Sequence, residues 1–174
     1  MKNMKKIILL FLFVNFFVSF VTAQTVTKNT LPKNLKGIRM NLKIDFSDAM
    51  ICGMSEEEFS KYEKDWEEDK PKIVSKFMTG ANLGVGKSYK IGNYANTSYI
   101  IMIKINTITD EGFIICDAKI LDNEGNAQFI VESLTGGKEP PFMIGTKLAR
   151  MKVWAALTGK TLGGILKREL SSRE

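Results

Sequence analysis

The chain reads as an α+β domain, and three observations carry that reading. Ile38, Met40, Leu42, Ile44 and Phe46 alternate with Arg39, Asn41, Lys43 and Asp45, which is the period of a strand with one buried face. Residues 98–131 hold three further strand-like stretches separated by glycine-bearing turns. Two segments, 55–78 and 146–170, space their apolar residues as a helix does. The order strand, helix, three strands, helix (β-α-β-β-β-α) predicts a two-layer sandwich. Its expected form is a four-stranded, mostly antiparallel sheet with two helices on one face. The first strand reaches the others through a helix, which favours parallel pairing with one of them.

Taken in order, residues 1–6 carry three lysines and no acid, and residues 7–21 are almost wholly apolar. Val21-Thr22-Ala23 then places small residues where a signal peptidase reads, so a signal peptide over 1–23, cleaved after Ala23, is expected. The apolar run is shorter than the roughly 20 residues a bilayer helix needs. The expectation is an exported chain, periplasmic or secreted, with no transmembrane span after cleavage. No cysteine adjoins the cleavage point, which argues against a lipid anchor. Residues 24–36 are polar, contain Pro32 and lack periodicity, so they read as a flexible leader. Residues 37–174 read as one α+β domain, with no solenoid repeat and no second domain.

Ser55-Glu56-Glu57-Glu58 is a capping-box pattern, and Phe59, Tyr62 and Trp66 follow at helical spacing. Pro71 is expected to end or kink this helix, or to start a second one ahead of Ile73, Val74, Phe77 and Met78. The glycine-rich stretch 80–92 reads as a loop with a short strand near its end. Tyr99, Ile101, Ile103 and Ile105 form one face of a strand. Ile114, Cys116, Ala118 and Ile120 form one face of the next. Turns at 109–112 and 122–126 join these strands and a third from Ala127 into a meander. From Thr146 the period is helical, through Leu148, Met151, Trp154 and Leu157 to Leu170. Gly159, Gly163 and Gly164 are expected to bend or split this last helix, since each costs about 1 kcal/mol relative to alanine.

Composition closes several function classes. The chain has 174 residues, 25 basic and 19 acidic, for a net charge of +6. The expected signal removes three lysines and no acids, leaving 151 residues and +3, so the basic pI gives no support to a nucleic-acid partner. Histidine is absent. That removes Ser-His-Asp and Cys-His catalysis, histidine-ligated zinc and histidine pH switches. No cofactor and no metal is expected. Cys52 and Cys116 are the two cysteines; they either pair in an oxidising compartment or serve as small apolar residues.

Residues 81–88, Ala-Asn-Leu-Gly-Val-Gly-Lys-Ser, fit a relaxed phosphate-loop pattern. A phosphate loop needs a strand before it and a helix after it; here the order is reversed, so a glycine loop is the better reading. Residues 55–69 carry a net charge of −6. No calcium-loop spacing appears there, and acids near a helix N-terminus are favoured by its dipole, so a solvated face is expected. Residues 144–174 carry +5, with Lys147, Arg150, Lys160, Lys167 and Arg168 as a candidate partner surface on an amphipathic helix. The acidic and basic helices are placed to attract each other or their counterparts in a second copy. Gly159-x-x-x-Gly163 permits close helix approach. Asn96-Thr97-Ser98 matches a glycosylation sequon.

The strand–helix–meander–helix order, closing in Gly159-Lys160-Thr161-Leu162-Gly163-Gly164-Ile165-Leu166-Lys167, resembles small uncharacterised bacterial secreted or envelope proteins over about residues 36–170. The layout is also similar to accessory domains of envelope assembly and transport machines. The resemblance implies a partner-binding domain and carries over no catalytic residues. The expected function is therefore an exported, non-catalytic binding or accessory module whose partner is another envelope protein. A carrier of a lipid or other small apolar ligand is the alternative, with the apolar residues near Ile100 to Met102 lining a cleft between sheet and helices. An enzyme using carboxylates such as Asp117 and Glu132 is the third reading.

Overall fold

The computed structural model describes residues 24–31, 37–87, 89–137 and 145–171. The expected signal peptide and its cleavage point lie outside the described residues. Among the described residues eight strands form one mixed sheet. They are β1 (Thr25–Asn29), β2 (Arg39–Asp45), β3 (Met50–Ile51), β4 (Met54–Ser55), β5 (Lys90–Gly92), β6 (Tyr99–Ile108), β7 (Ile114–Leu121) and β8 (Ala127–Leu134). Three helices accompany them: α1 (Glu56–Tyr62), α2 (Trp66–Val85) and α3 (Lys147–Ser171). The α+β class stands, but the four-stranded, two-helix arrangement is overturned.

The main path of the sheet runs β1-β8-β7-β6-β2-β5, and β6, β7 and β8 are the expected antiparallel meander. β2 pairs parallel with β6, as a strand returning through a helix can. It also pairs parallel with β5. β3 continues along the same side of β6 beyond β2, at Thr107 and Ile108, and folds back as a tiny hairpin with β4. Cys52 and Gly53 make its turn, both at positive φ, 53° and 79°. The described part of the leader, residues 24–31, is not a free segment. Its β-branched Thr25-Val26-Thr27 pairs with β8 as an edge strand, and Leu31 enters the core. The strands missed from sequence are short or lack alternation, so only pairing with a longer neighbour defines them.

The capping box forms as the sequence specifies. The Ser55 hydroxyl accepts from the Glu58 amide at 3.3 Å, and the Glu58 carboxylate accepts from the Ser55 amide at 2.9 Å. The helix then breaks at 63–65, and Pro71 lies inside α2 rather than at its end. Trp66 explains the position of the break. It is wholly buried, edge-on to Phe59 at 5.2 Å and to Phe46 at 5.7 Å, so the chain turns to bring this ring inward.

The predicted loop at 80–92 is the largest local correction, because α2 continues to Val85. Gly80 and Gly84 belong to the helix and face α3. A Cβ built on Gly80 would lie 1.9 Å from the carbonyl oxygen of Ala156, and one on Gly84 2.4 Å from that of Lys160. The relation is reciprocal: a Cβ on Gly159 would meet the Phe77 oxygen at 2.0 Å, and one on Gly163 the Ala81 oxygen at 2.2 Å. The two helices therefore touch backbone to backbone and run in the same direction. α3 is unbroken through these glycines, since the contact they permit outweighs their helix cost.

The core lies between these helices and one face of the sheet. Met40, Ile101, Ile103, Ile105, Cys116, Ile120, Phe129 and Val131 meet Phe77, Ala81, Met151, Trp154 and Leu162 there. The other face presents the alternate residues, which mix charge with half-buried Ile100, Met102, Ile115, Leu121 and Ile130. Among the described residues no helix is long and apolar enough to cross a membrane.

Candidate functional site

A groove of about 770 Å³ opens on the helix-free face, where β2 and β6 begin and β7 ends. It is assembled from three segments distant in sequence. β2 supplies Arg39 and Asn41, the 93–98 loop supplies Asn96, Thr97 and Ser98, and the β7–β8 turn supplies Asn123. Ile38 and Ile100 give it apolar surface. Strand alternation explains the first group. Met40 turns into the core, so Arg39 and Asn41 must turn outward.

Two hydrogen bonds fix the loop. The Asn41 amide donates to the Tyr94 carbonyl at 2.9 Å, and its oxygen accepts from the Tyr94 N–H at 2.6 Å. Asn41 is thus a clamp rather than a free donor. Gly92, the register partner of Asn41, seats the Tyr94 ring: a Cβ there would lie 3.0 Å from it. The Arg39 guanidinium lies 5.3 Å from the centre of that ring. Across the groove, Asp122 holds the turn that carries Asn123. Burial alone would raise its carboxyl, but bonds from the Asn126 and Glu124 amides (2.9 and 3.0 Å) and the Gln128 side chain (2.6 Å) hold it below the usual carboxylate range.

The remaining lining groups are uncommitted. Asn96, Thr97, Ser98 and Asn123 make no side-chain hydrogen bond among the described residues, and Arg39 makes no ion pair. Among the described residues the lining contains no carboxylate, cysteine or histidine. Among the described residues it offers amides, hydroxyls and one planar cation over an aromatic ring.

The residues singled out from sequence are distributed elsewhere. Lys147 pairs with Asp110 at 3.5 Å and lies over the rings of Phe59 and Tyr62. Arg150 donates to the carbonyls of Gly145 and Asp110, both at 3.0 Å. These two cations hold the β6–β7 turn against α3, while Lys160, Lys167 and Arg168 remain exposed. Cys52 and Cys116 are separate free thiols. Each donates weakly to a carbonyl at 3.7 Å, Cys52 to Thr109 and Cys116 to Leu134, and burial pushes both thiols up.

Asp117 is occupied structurally, accepting from the Ser133 amide at 2.9 Å and the Asn106 amide at 3.0 Å; Glu132 is exposed. Ile100 and Met102 face away from the helices, so they do not line a cleft between sheet and helices. The phosphate-loop pattern ends α2, with Gly86 as its C-cap. The groove itself was missed because its segments share no motif. The outward polar positions of β2 and the Asn-rich 93–98 loop were its sequence traces.

The molecule is an α+β domain with a polar groove on the uncovered face of its sheet. No family model matches the chain, and no curated protein matches it. Among solved structures, a dodecamer of a PelC variant from Paraburkholderia phytofirmans is similar to it. The identity is 10%, 87% of this chain and 99% of that chain are covered, and the TM-score is 0.41.

Proposed function

We propose that the protein is an exported, non-catalytic binding module and that its ligand seats in the groove. The observation that supports this most is the set of uncommitted polar side chains brought together from three segments. A polar group without an internal partner is suited to recognition, and four such residues beside one guanidinium form a specific array. The two bond networks around Asn41 and Asp122 keep that array in shape before a ligand arrives, which lowers the cost of binding. Export rests on the pattern of residues 1–23, and the accessory role on the resemblance of the element order to envelope proteins.

The test uses the chain produced in its own host. Its intact mass is expected to begin at Gln24, and recovery of the full-length mass would overturn export. Immobilised mature protein is expected to retain a component of host envelope extract that an Arg39→Ala/Asn123→Ala variant does not. Equal retention by both would place binding outside the groove.

A further inference from the structure

Resting on the binding-module reading, we infer that the groove takes an acidic saccharide, with Arg39 receiving a sugar carboxylate and Asn96, Ser98 and Asn123 meeting ring hydroxyls. Among the described residues Arg39 is the one charged group of the lining, and no described carboxylate of the lining neutralises it. A guanidinium presents parallel N–H donors that match the two oxygens of a carboxylate. Its place over Tyr94 restricts the fork without using its donors.

The other uncommitted groups are side-chain amides and hydroxyls, which both donate and accept. That dual capacity suits sugar hydroxyls, which do the same. It suits a lipid tail poorly, because each polar group would lose water without gaining a partner. Ile38 and Ile100 give apolar surface for the C–H face of a sugar ring. The volume of about 770 Å³ falls within the roughly 300–1,000 Å³ of small-molecule sites and admits more than one sugar unit. Asn41 acts here as a positioning residue, since both ends of its amide are spent on Tyr94.

The test is a titration of the ¹⁵N-labelled mature chain with trigalacturonate, maltotriose and sodium acetate at equal concentrations. Trigalacturonate is expected to shift the amides of Arg39, Tyr94, Asn96, Ser98 and Asn123 saturably. Maltotriose and acetate should each bind about tenfold more weakly or not at all. Arg39→Gln should weaken trigalacturonate binding about ten- to a hundredfold, the loss typical of a charged hydrogen-bonded contact. Asn123→Ala, on a separate turn, should weaken it less, and Lys167→Gln, on the far layer, should leave it unchanged.

Equal binding of maltotriose, unaffected by Arg39→Gln, would overturn the acidic specificity while leaving a binding groove. Acetate reproducing the shifts would overturn the saccharide. Silence of the groove towards all three probes would overturn the inference, and the envelope-extract experiment judges the binding module separately.

Discussion

Asp69 has 7% of its surface exposed, and lysines from both long helices neutralise it. Lys152 of α3 reaches one carboxylate oxygen at 2.7 Å, and Lys72 of α2 reaches the other at 2.9 Å. These bonds, Lys152 first, hold the Asp69 carboxyl below its ordinary value of 3.8. Because the folded value is depressed, the contribution is complete above the unfolded value. It is lost as pH falls through the folded one. Asp69→Asn is expected to lower stability by about 1–2 kcal/mol at neutral pH. It should also flatten the loss of stability below about pH 4. Urea melts at pH 7 and pH 3 check this: an unchanged gap between the two midpoints would refute the linkage. Asp117 is held instead by hydrogen bonds from neutral groups, the Ser133 N–H and the Asn106 side chain. It anchors Ser133, whose φ of 54° is unfavourable for a residue with a side chain, at the irregular end of the β7–β8 ladder.

At the scale of elements, the α2–α3 contact is the defining event. Small residues on both helices let the backbones meet, and the acidic start of α2 meets a basic residue of α3 through Asp69 and Lys152. The expected attraction between the two helices is thus made within one chain. The glycines of α3 provide an internal contrast. Gly159→Ala drives a methyl into the Phe77 carbonyl and is expected to cost at least about 2 kcal/mol. Gly164 is exposed, with nothing within 4 Å of an added Cβ, so Gly164→Ala removes only the helix penalty. It should stabilise by about 0.5–1 kcal/mol. Thermal melts followed by circular dichroism should move in opposite directions; a shared direction would show that the backbone contact is not what limits position 159.

For the whole molecule, the edge strand β1 closes one side of the sheet. It covers the free edge of β8, and Thr30 extends the contact by donating its N–H to the Gln128 carbonyl at 2.7 Å and its hydroxyl to the Gln128 side chain at 2.8 Å. Leu31 then enters the core. Deleting residues 24–31 removes this cover and leaves a cavity at Leu31. The shortened domain is expected to lose about 3 kcal/mol and to associate through the bared β8 edge. Denaturant melts and size-exclusion chromatography at several concentrations report both effects. A shortened domain that matches the mature chain in midpoint and elution would show that β1 does not contribute to the domain. Gln128, which loses Thr30 in the deletion, also holds Asp122, so the Asn123 side of the groove should loosen while its β2 and 93–98 side stays in place.

What the sequence by itself determined is local. The alternation of Ile38 to Phe46, the meander with its two turns, the Ser55 cap and the helical period after Thr146 each arise from neighbours along the chain. The absence of histidine removed whole classes of chemistry without any coordinates. Tertiary structure decided the rest, because those features depend on partners far away in sequence. Gly80 and Gly84 read as loop glycines until the backbone of Ala156, Lys160 and Gly163 arrives to occupy the space they leave. Thr25–Asn29 reads as a leader until β8 offers its edge. Lys147 and Arg150 read as surface cations until Asp110 and its turn fold against them. The groove is the fullest case: Arg39, Asn96 and Asn123 share no motif, and only the register that sets β2 beside β6 and β6 beside β7 makes them one site.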